Sequence, residues 1–172
     1  MRNGEDREKR GGFTLIEVMI TLAIVGIVVM LATSTFQGMM EKYRVEGETK
    51  QMFADLMDAR GRAMQRNRAF FVQITNNGYK TFEDTNPAPD GDSLLTGSDT
   101  QIAGVAVQHA ITPTAGLSDF RFNRNGIASA TGTIRLSSNV QNVQPDYDCI
   151  TVKATRIKMG QYNATTNACD EK

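Results

Sequence analysis

Polar and apolar positions along this chain fall into three stretches of different rhythm. The first, Phe13 to Phe36, reads FTLIEVMITLAIVGIVVMLATSTF; 17 of its 24 residues are apolar and Glu17 is its one charge. From Val18 to Met40, 23 residues pass without a charge. At 1.5 Å of rise per residue, a helix from Phe13 to Phe36 would extend roughly 36 Å, enough for a hydrocarbon core of about 30 Å. The pattern predicts one membrane-spanning helix over residues 13–40.

The second stretch, residues 41–67, is amphipathic. Val45, Met52, Leu56, Ala59 and Ala63 recur at helical spacing, with Phe53 and Met64 widening the stripe. Charges fill the remaining faces. Acidic residues come mostly early and basic ones late, as the helix dipole favours. The stripe reads as a core face that lies on a sheet. A helix unbroken from Phe13 to Asn67 would be about 80 Å long.

The third stretch, residues 69–172, has strand rhythm. Phe71–Ile74 and Tyr79–Phe82 flank Asn76-Asn77-Gly78 and predict a hairpin. Asp84 to Thr100 reads as loop, with Pro87, Pro89 and Asp-Gly signals. Short strands are predicted at Val105–Val107, Phe120–Phe122, Ile134–Leu136 and Cys149–Ala154. Asn123-Arg124-Asn125-Gly126 is a second turn. The expected fold class is α+β: a long N-terminal helix packed on an antiparallel β-sheet head.

Composition narrows the function. The 172 residues suit one domain, or one domain with an appendage, and 19 basic against 19 acidic side chains argue against a global polyanion-binding surface. Two Cys and one His exclude a dense disulfide scaffold and a four-ligand Cys/His zinc site. No nucleophile–base pair, phosphate loop or paired catalytic carboxylates stand out, so no enzyme, cofactor or metal is expected.

The leader MRNGEDREKRGG carries Arg2, Arg7, Lys9 and Arg10 against Glu5, Asp6 and Glu8. Its basic excess keeps the N-terminus cytoplasmic and sends the C-terminus across the membrane. Ala32-Thr33-Ser34 makes a poor secretory cleavage site. An uncleaved anchor or a signal peptide would account for these features alone.

A more specific pattern sits at the junction. Gly12-Phe13-Thr14-Leu15-Ile16-Glu17, between a charged leader and an apolar run, resembles the class III leader of type IV pilins and pseudopilins. The resemblance implies cleavage between Gly12 and Phe13 by a prepilin peptidase, then methylation of the Phe13 amine. Glu17 takes the place of the family's fifth-position glutamate, and Gly26 that of a small residue common in its apolar helix. A lone carboxylate at membrane depth costs a few kcal/mol unless paired. The Phe13 amine, its own or a neighbour's, is the nearest cation, and in the family the intermolecular pair sets the axial stagger. The alternative is a glutamate snorkelling near a helix start. Ser34 stands where major pilins often have proline, which suits a minor subunit.

LMDARGRAMQRNRAFFVQI and DFRFNRNGIA are similar to segments of the H-type minor pseudopilins and related minor pilins. The resemblance thus implies a structural minor subunit of a type II secretion pseudopilus or type IV pilus. Its partners would be other pilins or pseudopilins, the prepilin peptidase and an inner-membrane assembly platform. Residues 1–12 would be discarded, 13–40 would anchor in the inner membrane, and 41–172 would form a periplasmic head. The family often closes a C-terminal loop by a disulfide, which implies a Cys149–Cys169 bond, with free thiols as the alternative.

Three groups remain. His109 reads as a strand or loop residue rather than a ligand. Asp84, Asp90, Asp92 and Asp99 form an acidic loop whose spacing does not match an EF-hand, so it reads as solvated rather than as a calcium site. Arg60, Arg62, Arg66 and Arg68 cluster at the helix end. Lys153, Arg156 and Lys158 raise the alternative of a DNA-binding minor pilin, with Arg156 and Lys158 as contacts. Thr155-Arg156-Ile157-Lys158 is only faintly similar to the motif expected for that role.

Overall fold

The structure, a computed structural model, describes residues 12–88, 91–114 and 116–172, with the side chains of 31–35 excepted. Leader residues 1–11, Asp90 and the Ser34 side chain lie outside the described residues. Among the described residues, one helix, α1 (Leu15–Arg66), precedes nine strands. The chain divides into two compact units, Met1–Gln37 and Gly38–Lys172.

In the first unit the apolar side chains from Phe13 to Met30 are exposed, from 45% at Val18 to 84% at Phe13. Among the described residues, no helix is long and apolar enough to cross a membrane. The apolar run with described side chains stops at Met30, short of the ~20 residues a span requires.

The second unit holds the core. From α1, Val45, Thr49, Met52, Leu56, Ala59 and Ala63 are buried at alternating spacings of four and three. Thr49 fills the turn that the apolar stripe leaves open, and its hydroxyl donates to the Val45 carbonyl at 2.8 Å. Phe53 packs partly against this core. Met64, expected in the stripe, is 49% exposed. It lies off the buried row and abuts the Gly126 turn, where a Cβ would come 2.8 Å from its sulfur.

Two antiparallel sheets stand where a single sheet was expected. The four-stranded one runs β3 (Thr100–Ala106), β2 (Gly78–Glu83), β1 (Phe70–Thr75), β5 (Asp119–Phe122). The five-stranded one runs β4 (Ala110–Pro113), β6 (Gly132–Ser137), β7 (Cys149–Val152), β8 (Ile157–Asn163), β9 (Ala168–Glu171). The expected hairpin is present as β1 and β2, whose register pairs Val72 with Thr81 and Ile74 with Tyr79. Phe120 pairs with Val72 and Phe122 with Phe70. Alternation puts these seven on one face, and all are buried. Gly78 is needed where β3 crowds β2, because a Cβ there would meet the Val105 carbonyl oxygen at 2.3 Å. Ile111, Ile134, Leu136, Ile150 and Val152 of the second sheet join the same core. The Asn123–Gly126 turn forms as predicted: Gly126 takes φ +72° and its N–H donates to the Asn123 carbonyl at 2.7 Å.

Candidate functional site

The segment expected to be processed begins the described chain. Gly12, Phe13 and Thr14 precede the helix, which starts at Leu15. The Thr14 hydroxyl accepts the Glu17 N–H at 3.3 Å, so Thr14 is the N-cap and Glu17 lies in the first turn. Thr14-x-x-Glu17 is a capping-box spacing, a signal legible in the sequence that the motif reading passed over. The cap fixes where the helix starts, at Leu15, two residues after the expected Phe13. A carboxylate in the first turn also faces the positive end of the helix dipole.

In the head, α1 is held by glutamates rather than by apolar contact alone. Glu41 and Glu46 are buried, and Glu48 is partly so. Glu41 Oε1 accepts the Asn139 N–H at 2.8 Å and the Ser138 hydroxyl at 3.2 Å. Glu46 Oε1 accepts the Asp146 N–H at 2.9 Å. Glu48 Oε1 accepts the Gln108 N–H at 2.9 Å and its Oε2 accepts the His109 N–H at 3.3 Å. His109, 1% exposed, stands between two of these carboxylates. Its Nδ1 lies 2.7 Å from Glu48 and its Nε2 3.1 Å from Glu41.

Each ring nitrogen thus meets a carboxylate oxygen, and the imidazole bridges Glu48 and Glu41. His109 is thus a loop residue, as expected, but a buried one whose role is to pin the β3–β4 turn to the helix. For Glu41, burial pushes the pKa up, yet the Asn139 N–H, the His109 charge and the Ser138 hydroxyl outweigh it and hold the group below its ordinary range. No spacing rule links residue 109 to 41 and 48, and this is why the sequence left the cluster unseen.

Cys149 and Cys169 are bonded, with Cα atoms 5.9 Å apart. They sit on β7 and β9, with β8 between them. In a flat sheet, strands one and three stand about 9.6 Å apart, so the ladder must curl to bring these cysteines together. Gly160 of β8 makes room: a Cβ there would fall 2.1 Å from the Asp170 carbonyl and 3.0 Å from Cys169 Sγ.

The acidic loop organises itself. Asp84 accepts the N–H groups of Asp92 and Ser93 at 3.2 and 2.7 Å. Asp99 accepts those of Thr85, Asn86 and Thr96 at 3.1, 3.2 and 2.7 Å. Burial holds Asp84 above the ordinary carboxylate range, whereas for Asp99 the three amides overcome burial and hold it below. Among the described residues no group of His, Cys, Asp or Glu is arranged to hold a metal. Asp84 and Asp99 serve the loop backbone rather than the solvent.

Several of the basic residues are paired, whereas the buried Arg60 Nε has no hydrogen-bond partner among the described residues. Arg62 bonds Asp58, and Arg66 and Arg68 both face Glu83. Lys153, Arg156 and Lys158 converge on Glu171 at 2.8, 3.1 and 3.4 Å. The structure does bring Arg156 and Lys158 together, and the cluster keeps a net positive charge after Glu171 is counted.

With this geometry in view, two family models match the chain. The prokaryotic N-terminal methylation motif covers residues 7–33. The type II transport protein GspH model covers residues 48–155, more than half of the chain. No curated protein sequence matches significantly. Among solved structures, the type IV minor pilin FimU of Pseudomonas aeruginosa aligns with a TM-score of 0.52 at 14% identity, over 76% of this chain and 96% of that one. The minor pseudopilin EpsH from the type 2 secretion system of Vibrio cholerae aligns with a TM-score of 0.52 at 11% identity, over 69% and 97%. At such identities the likeness is one of fold, and that fold is the α+β architecture expected from the sequence. By its family match, the chain belongs to the type II transport protein GspH family.

Proposed function

We propose that this structural subunit, a minor pilin or pseudopilin and not an enzyme, serves in a type II secretion pseudopilus. A peptidase removes residues 1–12 and the Phe13 amine is methylated. Residues 13–40 then anchor the chain in the inner membrane, with the N-terminus cytoplasmic and the head periplasmic. Growth of the filament transfers this helix from lipid into a bundle with neighbouring subunits, and Glu17 sets the register by pairing with a neighbour's terminal amine.

The observation that carries this reading is the apolar surface from Phe13 to Met30, open on every side of the helix and preceded by a methylation-motif match. A helix that is hydrophobic all round is stable only when lipid or other helices surround it. The description of the GspH family favours secretion over a pilus.

Replacing Gly12 with Val should leave a precursor that keeps its leader and lacks the methyl group, read by intact mass; normal processing would refute the assignment. Deleting the gene should abolish type II export and spare pilus-dependent motility. The opposite result would move the subunit to a type IV pilus.

A second reading, DNA capture by the head, rests on the convergence of Lys153, Arg156 and Lys158. It requires salt-sensitive gel shifts that weaken when Arg156 and Lys158 are both replaced by Ala.

A further inference from the structure

The two edges of the four-stranded sheet differ. On the β5 side the chain folds back and covers its own edge. Ser129 N–H donates to the Arg121 carbonyl at 2.9 Å, the Arg121 N–H donates to the Ser129 hydroxyl at 3.0 Å, and Phe122 bridges to Ala128. On the β3 side nothing comparable occurs. Among the described residues, none outside β2 hydrogen-bonds the backbone of Gln101–Ala106.

Strand β3 reads Thr-Gln-Ile-Ala-Gly-Val-Ala over 7 residues, five exposed and two half-buried. It carries no charge and no proline, the devices that usually protect an edge. The edges of the second sheet do carry them: β4 is four residues ending at Pro113, and β9 bears Asp170 and Glu171 and is tied by the disulfide. A bulge between Thr81 and Phe82 interrupts the β2–β3 register, but Ala103 to Ala106 pair in unbroken sequence.

Beside this bare edge lies an independent feature. A cleft of about 300 Å³ opens between α1 and β3. Ile102 and Ala103 line it on the sheet side, and Asp55 and Asp58 stand on the helix side. Asp58 is bonded to Arg62 at 2.6 Å, and Asp55 accepts the Tyr79 hydroxyl at 2.5 Å. Two carboxylates against one guanidinium leave the rim net negative. Its walls offer apolar surface to an aliphatic stem and its rim offers carboxylate oxygens to a cation.

We infer that β3 is a docking edge for an extended segment of a partner protein, which adds to the sheet as a fifth strand and lays one lysine or arginine into the cleft. A polypeptide backbone is the ligand whose donors and acceptors repeat at the ~3.4 Å rise of the strand. The methylenes of the basic side chain would lie against Ile102 and Ala103, and its charge between Asp55 and Asp58. A second copy pairing through β3 does not fit. Pairing through its own β3 would present Ala103, Gly104 or Val105 to the cleft, and none of these is a cation.

The test uses the full chain in non-ionic detergent and three fluorescein-labelled nonapeptides. One alternates Thr and Val around a central Lys. The second has a central Glu. The third keeps the Lys but has Pro on either side of it, which removes main-chain donors. By fluorescence anisotropy the Lys peptide should bind about tenfold or more tightly than either other peptide. It should slow amide exchange within residues 100–106. Asp58→Lys should reverse the preference in favour of the Glu peptide. Equal affinity for all three peptides, no binding by any of them, or protection that falls elsewhere would overturn the proposal. So would exchange at β3 that slows with protein concentration alone, because the edge would then pair with itself.

Discussion

The early and late parts of α1 share one backbone conformation and arrive at it by opposite side-chain arrangements. From Leu15 to Met30 apolar groups occupy every side and all are exposed. From Val45 to Ala63 they form one row, buried against the sheets, and charges hold the other faces. The late part is explained by what it touches within the head. The early part has its reason outside itself, in whatever apolar surroundings receive it. Each part also places a glutamate unusually. Glu17 is a lone charge in an apolar run, while Glu41, Glu46 and Glu48 are absorbed by loops of the head.

The largest effect that would break this comparison comes from Glu17. Glu17→Leu should leave the stability of the head within about 0.5 kcal/mol, because Glu17 is exposed and belongs to the other unit. Incorporation into filaments should fall to background, read by immunoblot of sheared filaments. If incorporation persists, the two kinds of glutamate are not different after all.

Next comes His109→Leu, which leaves Glu41 and Glu48 without the imidazole that bridges them. Breaking a buried ionic cluster costs about 3–5 kcal/mol. Glu48 keeps 21% side-chain exposure, which points to the lower end of that range. Urea unfolding of the full chain in detergent, followed through its four tyrosines, gives the value. Processing at Gly12 should be unchanged.

Third, replacing Cys149 and Cys169 with Ser opens a loop of sequence separation 20 and should cost about 3 kcal/mol. Gly160→Val should reach a similar end by blocking closure. Its thiols would become reactive to alkylation, whereas those of the parent would not.

The smallest effect is pH-linked. Glu41 has a folded pKa below its ordinary 4.5, so its contribution is complete above pH 4.5 and is lost as pH falls toward the folded value. Glu41→Gln should cost about 1 kcal/mol at neutral pH and converge with the parent in acid. Burial raises Asp84 and Asp148, which works the other way: each favours the folded state below pH 3.8 and loses that contribution as pH rises from there through its raised folded value. The acid limb of the parent should therefore be shallow.

Periodicity made α1 legible, because Val45, Met52, Leu56, Ala59 and Ala63 repeat at spacings that only a helix face explains. Alternation and an Asn-rich turn made β1 and β2 legible. Strand β8 was missed because Lys158, Gly160 and Gln161 break any alternation, and β9 because two acids sit among its four residues. What holds both in place is distant: the ladder to β7 and the bond from Cys149. Strand β4 is short and ends at proline, a weak local signal that pairing with β6 overrides. The methylation motif was legible as a string. The His109 cluster was not, since its partners lie 61 and 68 residues away and no rule of spacing reaches that far.

The glutamate contacts also set a clock. The amides of Gln108, His109, Asn139 and Asp146 all end on carboxylates of one stretch of α1. They come from two loops, one between β3 and β4 and one between β6 and β7, and the event that frees all four together is the lifting of that stretch from the sheets. Under native conditions their hydrogens should exchange with solvent at one common rate, slower than loop amides elsewhere and faster than the core strands. That rate measures the undocking of the helix as a single opening, at positions where loops would ordinarily record only local motion.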